Sequence, residues 1–241
     1  MKKLVINADD FGRSSPVNQG IIEAHQKGIV TSASLMTNRE GFAEAVNLAK
    51  ANPKLGIGLH LDLDHFFNLQ HGAGRLLGYR DPTLPMASIV QETEAQIQKA
   101  LATGLPIGHL DGHHHVHLRP ELFASVAALT VKYKIPTIRY FKGFYEGLYP
   151  QSDMNWILEI VQRFQLRCTD MFFAGWEPVE SSLPGYRYFD PSASFQTAEL
   201  MVHPGKGEAW REQELARCIS SDIRKRLQFA GIEWMSFNEL S

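Results

Sequence analysis

From residue 4 to residue 236 the chain alternates short β-branched apolar runs with amphipathic stretches, about eight times and without a break. That alternation constrains the fold more than any other feature. A strand buried on both faces, followed by a helix that returns the chain to the strand's starting end, makes successive strands parallel. The strand runs fall at 4–7, 29–36, 55–63, 107–110, 136–140, 168–173, 199–203 and 232–236. Helical spacing falls at 17–27, 41–51, 89–101, 120–134, 154–164 and 208–229, with Pro120 suitably placed in a first turn. Two Gly- and Pro-bearing stretches, 64–86 and 174–196, read as long loops. The pattern predicts a parallel α/β fold. A (β/α) barrel fits the count best, with an open doubly wound sheet as the alternative. With 241 residues and no repeat, low-complexity tract or linker, one domain over residues 1–241 is the simplest division.

Charge and cysteine usage narrow the setting. A net charge of −2 gives no reason to expect nucleic acid or an anionic membrane as partner. Two cysteines, Cys168 and Cys218, do not make a disulfide framework and fit a reducing compartment. The first residues begin basic, but their apolar run is too short for a signal peptide and ends in Asp9-Asp10. No window approaches the ~18 apolar residues of a membrane span. The expected location is the cytoplasm.

In a parallel barrel, residues at the carboxyl ends of strands share one mouth. Here those positions carry Asp9-Asp10, His60 with Asp62, Asp111 with His113, Arg139 and His203. The recurrence of chemically capable side chains at one topological position weighs more than any of them singly. Each also fits a plainer role. Asp9-Asp10 suits a turn and a helix cap. His60 suits a core imidazole bonded to backbone, His203 a satisfier of loop carbonyls, and Arg139 a surface ion pair. Neighbouring residues of a regular strand face opposite ways, so Asp9 and Asp10 serve one site only if the chain turns, which Gly12 permits.

Five of the ten histidines lie within His109-Leu-Asp-Gly-His113-His114-His115-Val-His117. Histidine titrates near neutrality and is the commonest metal ligand, so such a cluster points to a site rather than to packing. If the strand continues, His113, His115 and His117 share one face and His114 points away. Spacing alone does not choose among them. Aromatic residues in the loops (Phe66, Phe67, Tyr79, Phe144, Tyr145, Tyr149, Trp176, Tyr186 and Tyr188) suit sugar stacking and suit an interface equally.

Asn7-Ala-Asp-Asp-Phe-Gly12, Gly20-Ile-Ile-Glu-Ala24 with Gly28-Ile-Val-Thr-Ser32, Gly56-Ile-Gly-Leu-His60, the histidine-rich segment and Glu199-Leu-Met-Val-His-Pro-Gly205 occur in that order. This series resembles the YdjC-like carbohydrate deacetylase family. The resemblance implies a distorted (β/α) barrel related to polysaccharide deacetylases, an N-acetylated sugar substrate, a homodimer and one divalent metal ion, Mg²⁺ or Zn²⁺. Carried over by motif position, it implies Asp10, His60 and His113 as metal ligands, Asp9 as general base and His203 as acid. Arg139 is the candidate for substrate contact. Two departures bear on the substrate: the loop at 64–86 is shorter than in several relatives, and Met171 stands where some carry a polar residue.

The implied reaction is hydrolysis of an N-acetyl amide, releasing acetate and a free amine. One rival is a metal-dependent hydrolase of another bond, such as a phosphoester. That chemistry wants a second metal or a cluster of cations, and Arg139, Lys142 and Arg187 are scattered in sequence. The other rival is a non-enzymatic metal-binding protein, which needs neither the aspartate pair nor the His-Pro-Gly turn.

Overall fold

The computed structural model describes residues 2–67, 84–140, 151–178 and 186–240. In chain order the first half comprises β1 (Lys2–Phe11), α1 (Ser15–Lys27), β2 (Ser32–Leu35), α2 (Phe42–Ala51), β3 (Gly56–Leu61), α3 (Asp64–Phe67) and α4 (Met86–Leu101). There follow β4 (Ile107–Gly112), a 3₁₀ segment (His113–Leu118), α5 (Pro120–Lys132), β5 (Thr137–Ile138) and α6 (Gln151–Arg163). The last elements are β6 (Met171–Phe173), β7 (Thr197–Val202), α7 (Ala209–Ile219), α8 (Ser221–Phe229) and β8 (Ile232–Met235).

All strand pairings among the described residues are parallel, in the order β5-β4-β3-β2-β1-β7-β6. At one end of this path β5 makes a single parallel bridge, Thr137 to Arg167, in the segment just before β6, where Ile138 N–H donates to the Arg167 carbonyl at 3.0 Å. A single bridge in place of a ladder makes the barrel distorted. β8 adds a second irregularity: it pairs with Lys2–Val5 of β1, while β2 pairs with β1 only from Asn7 onward. The sheet is thus curled rather than open, and the doubly wound alternative is not the one adopted.

The strands are apolar because both faces are covered. Leu4, Ile6, Ala8, Ala33, Leu35, Ile57, Leu59, Leu110, Leu200 and Val202 all lie in one continuous core. Burying each Leu, Ile or Val among them contributes roughly 1.5–3 kcal/mol. No helix among the described residues is long and apolar enough to cross a membrane.

Several element boundaries differ from the sequence reading. The stretch 208–229 is two helices, not one, broken at Ser220. Its hydroxyl accepts the Ile223 N–H and caps α8, as serine at an N-cap favours. Helix α4 starts at Met86, β5 shrinks to two residues, and Asp64–Phe67 forms a short helix inside the expected loop. The remainder of that loop, 68–83, and 179–185 of the second lie outside the described residues, as do Lys142, Tyr79, Phe144, Tyr145 and Tyr149.

Candidate active site

The mouth is built first by β1. Asp10 adopts φ +69° and Gly12 φ +96°, and the β1–β2 register shifts between Ala8 and Phe11. The bulge begins at Asp10 itself, earlier than Gly12 alone suggests. An extra residue in a strand re-aims a side chain, which is how two consecutive aspartates come to line one cavity. A Cβ on Gly12 would meet the Met36 carbonyl at 2.6 Å, so only glycine fits that turn.

Strands β3 and β4 supply the imidazoles. Asp10 Oδ1 lies 3.5 Å from His60 Nε2 and 3.1 Å from His113 Nδ1, and the three donor atoms lie within 4.8 Å of one another. Oδ1 is buried and has no hydrogen bond among the described residues. An orphaned carboxylate oxygen facing two imidazole nitrogens is a cation-shaped arrangement. Two further donor groups fit less well. Asp64, His113 and His114 share His113 with the first set, and Arg39 already takes Asp64 Oδ2 at 3.0 Å. In the group of Asp9, His60 and Asp111, the carboxylate oxygens are committed to Arg139 and His60.

Asp111 stands behind His60. Its Oδ1 accepts from His60 Nδ1 at 2.7 Å, which fixes the ring with Nε2 free to face Asp10. Ser34 Oγ donates to Asp111 Oδ2 at 2.7 Å. Because Ser34 has only that proton, His109 Nε2, 3.0 Å away, must be the donor in their bond. Burial pushes the His109 ring down to about 4, so it is neutral.

The four buried carboxylates here, Asp9, Asp10, Asp111 and Glu199, face two buried guanidiniums, Arg139 and Arg211. Fully ionised, these six groups carry a net charge of −2, offset in part by the more exposed Arg13 at 3.8 Å from Asp10 Oδ2, and a divalent cation would balance the remainder. The metal-free protein answers with protons. Burial disfavours a charged His60, yet Asp111 and Asp9 hold its pKa well above the ordinary value. Burial raises Glu199 to about 7 despite Arg139. Burial also pushes Asp10 up, but His113 and His60 outweigh it and keep that carboxyl well below its usual range.

Arg139 is not at the surface, where the ion-pair reading put it, and it is not among the residues that line the cavity. Its side chain is 0% exposed, and its fork donates to Asp9 Oδ2 at 2.8 Å and Asp9 Oδ1 at 2.6 Å. It also donates to Glu199 Oε1, from Nε at 2.9 Å and Nη2 at 2.6 Å. Three acidic residues that are distant in sequence and cost too much to bury alone draw this cation inward. Asp62 likewise lies off the donor set, held by Arg39 Nε at 2.5 Å.

The strand does not continue through the histidine run. His114 and His115 take φ +52° and +59°, turning the chain into the 3₁₀ segment, so the alternating-face expectation fails. His115 lines the cavity, its ring centroid 5.7 Å from those of Phe172 and Tyr186. His117 does not line it; its Nε2 donates to the Arg139 carbonyl at 2.9 Å.

Asp9, Asp10, His60, His113 and His203 line one cavity of about 550 Å³. His203 reaches it from the turn after β7, whose Gly205 abuts α1: a Cβ on Gly20 would lie 2.4 Å from Gly205 Cα. Trp176, Tyr186 and Tyr188 are in the wall, whereas Phe67 lies under Arg119. The sequence reading missed Trp210, Arg211 and the role of Asp111. Asp111 sat in plain view within the histidine motif, but nothing local marks the other two.

Parallel strands curled into a barrel, with carboxylates and imidazoles gathered around a cavity at their carboxyl ends, define an α/β-barrel protein of enzyme type. The chain belongs to the YdjC-like protein family, whose pattern it matches over residues 3–228. The carbohydrate deacetylase of Vibrio cholerae serotype O1 (strain O395) is 40% identical over 261 residues, covering 99% of this chain and 96% of that protein. That of Brevibacillus brevis is 34% identical over 257 residues, covering 99% of each. Among solved structures, an Enterococcus faecalis V583 protein provisionally described as a cellobiose-phosphate cleavage protein superposes with TM-score 0.74 at 24% identity, covering 100% of this chain and 99% of that one. The lactam utilization protein of Thermus thermophilus gives 0.58 at 21%, covering 98% and 100%. These two likenesses speak for the fold alone.

Proposed function

We propose that this chain is a carbohydrate N-deacetylase, a hydrolase that removes the acetyl group from an N-acetylated amino sugar or short oligosaccharide and releases acetate. The names of its family relatives support the reaction class. The observation that carries it is the convergence of Asp10, His60 and His113 beside Asp9 and His203 on one cavity. The three donors would hold one divalent cation, Mg²⁺ or Zn²⁺. Two imidazoles and a carboxylate suit Zn²⁺ on ligand grounds, while the family likeness implies Mg²⁺ for some members. Such an ion supplies Lewis-acid polarisation of a carbonyl and acidifies water.

The chain's own residues then have distinct tasks. Asp9, clamped by Arg139 on both oxygens and by the Asn7 amide on Oδ1, keeps one lone pair on Oδ2 with which it takes the proton of the attacking water. His203 delivers a proton to the departing nitrogen, without which an amine leaves poorly. Asp111 holds the His60 ring in its ligating orientation. The cavity's aromatic wall excludes water and offers faces to a sugar ring. Cysteine usage and family likeness add a cytoplasmic homodimer to this reading.

The phosphoester rival is weakened because the other two donor groups share His113 or His60 with the first and have oxygens held by Arg39 or Arg139, which leaves no separate place for a second cation among the described residues. A purely metal-storing protein has no use for a cavity beside a three-donor set. The test is mass spectrometry on a panel of N-acetylated sugars incubated with metal-loaded protein. Loss of one acetyl group from any member supports the proposal. Acetyl retention throughout, with phosphate released from sugar phosphates, overturns it.

A further inference from the structure

Arg211, in the first turn of α7, belongs to no motif in the sequence and takes no part in the steps above. Its side chain is 1% exposed. Nη2 donates to Asp10 Oδ2 at 2.5 Å, and Nε donates to Glu208 Oε2 at 2.6 Å. Nη1 has no partner among the described residues, although the side chain lines the cavity. Trp210 covers one face of the guanidinium at 4.3 Å, and the Gly205 N–H donates to the Arg211 carbonyl at 3.3 Å.

The two oxygens of Asp10 are therefore unequal. Oδ2 is taken by a charge-assisted bond, which is strong and directional. Oδ1 faces the two imidazoles with no hydrogen bond. A carboxylate free at both oxygens can chelate a cation through both and so fill two coordination positions. A hydrolytic site needs those positions for water and substrate oxygen. We propose that Arg211 is a positioning residue which, by holding Oδ2, commits Asp10 to bind the cation through Oδ1 alone and so keeps a coordination position open for the reaction. The proposal rests on the cation reading of Asp10, His60 and His113.

It makes affinity and turnover move apart. Removing Arg211 takes away the hydrogen bond to Oδ2, leaving only the more exposed Arg13 at 3.8 Å from it, and also removes a positive charge beside the cation, and both effects favour binding. What is lost is the open position. Titration with Co²⁺, followed by its visible spectrum and by calorimetry, is compared with steady-state kinetics for wild type, Arg211→Gln, Arg211→Lys and Glu208→Gln. Arg211→Gln should bind Co²⁺ as tightly as wild type or more so, with weaker visible bands as coordination number rises. Its kcat should fall by about 10–100-fold, the usual size of outer-shell effects, with KM changing less. Arg211→Lys, which keeps a charge and a donor, should recover most of kcat. Glu208 is 45% exposed, so Glu208→Gln tests the brace with little risk to folding, and it should shift both readouts the same way by less. Loss of Co²⁺ binding together with turnover in Arg211→Gln would assign a merely structural role and overturn the proposal. So would an unchanged spectrum and kcat. A wild-type protein that binds no Co²⁺ removes the cation reading and this proposal with it, a result distinguishable from the others.

Discussion

Asp9 and Asp10 are chemically identical neighbours made different by their partners. Asp9 receives the fork of Arg139 and the Asn7 amide at 2.8 Å, whereas Asp10 has one oxygen on Arg211 and one facing imidazoles. The difference makes separable predictions. Asp9→Asn should lower kcat by on the order of 10²–10⁴ while leaving cation affinity within a few-fold, as measured by kinetics and calorimetry on one preparation. Asp111→Asn should do the reverse first. An amide no longer enforces the Nδ1–H form of His60, and cation affinity should weaken about 10–100-fold. Equal losses of affinity and kcat in Asp9→Asn would place it among the ligands instead.

At the scale of elements, the position of His203 depends on a backbone contact between α1 and the turn after β7. Gly20 and Gly205 meet so closely that any side chain at Gly20 forces them apart. Gly20→Ala should therefore cost about 1–3 kcal/mol of stability, the usual size of an overpacking penalty. It should also reduce kcat through displacement of His203. Thermal melts and kinetics check both, and an unchanged kcat at lowered Tm would mean the turn tolerates the shift. The glycine was visible in the sequence as part of Gly20-Ile-Ile-Glu-Ala24, but its contact lies 185 residues away along the chain, beyond local pattern. The histidine run shows the opposite lapse. Period-2 reasoning assumed extended backbone, and the left-handed pair His114-His115 broke the period.

For the whole molecule, the buried histidines govern stability against pH. His109 and His117 are held by burial at about 4, against an ordinary 6.5. As pH falls below 6.5 the unfolded chain takes up protons that the fold refuses, so stability declines until about pH 4. Each contributes roughly 3 kcal/mol to that decline. Asp10 and Asp111, held low by their partners, act in the same direction as pH falls through the carboxylate range. Glu199, raised to about 7, acts oppositely: the stability its proton confers is full below about 4.5 and gone by about pH 7, and His60, held high by Asp111 and Asp9, likewise loses its contribution as pH rises above 6.5. Metal-free protein should therefore melt highest near pH 6.5–7, and His117→Gln should flatten the acid side of the Tm profile. An acid limb unchanged in that variant would contradict the assignment. Divalent cation at 100 times its Kd should add about 2.7 kcal/mol, reversed by a chelator.

The alternation of β-branched runs with amphipathic stretches determined the parallel α/β class, because burial of both strand faces writes itself directly into local composition. The strand-end positions of Asp9, Asp10, His60, His113 and His203 were legible for the same reason: period and punctuation locate where strands stop. Tertiary structure alone decided what those groups are bonded to. Arg139 looked like a surface cation until three carboxylates from β1, β4 and β7 were seen to enclose it. Arg211 carried no local mark at all, since its meaning lies in one oxygen of Asp10, 201 residues earlier. Apolar burial is a property of a segment and is read along the chain. The pairing of buried charges belongs to space, and only the curled sheet brings those charges within reach of one another.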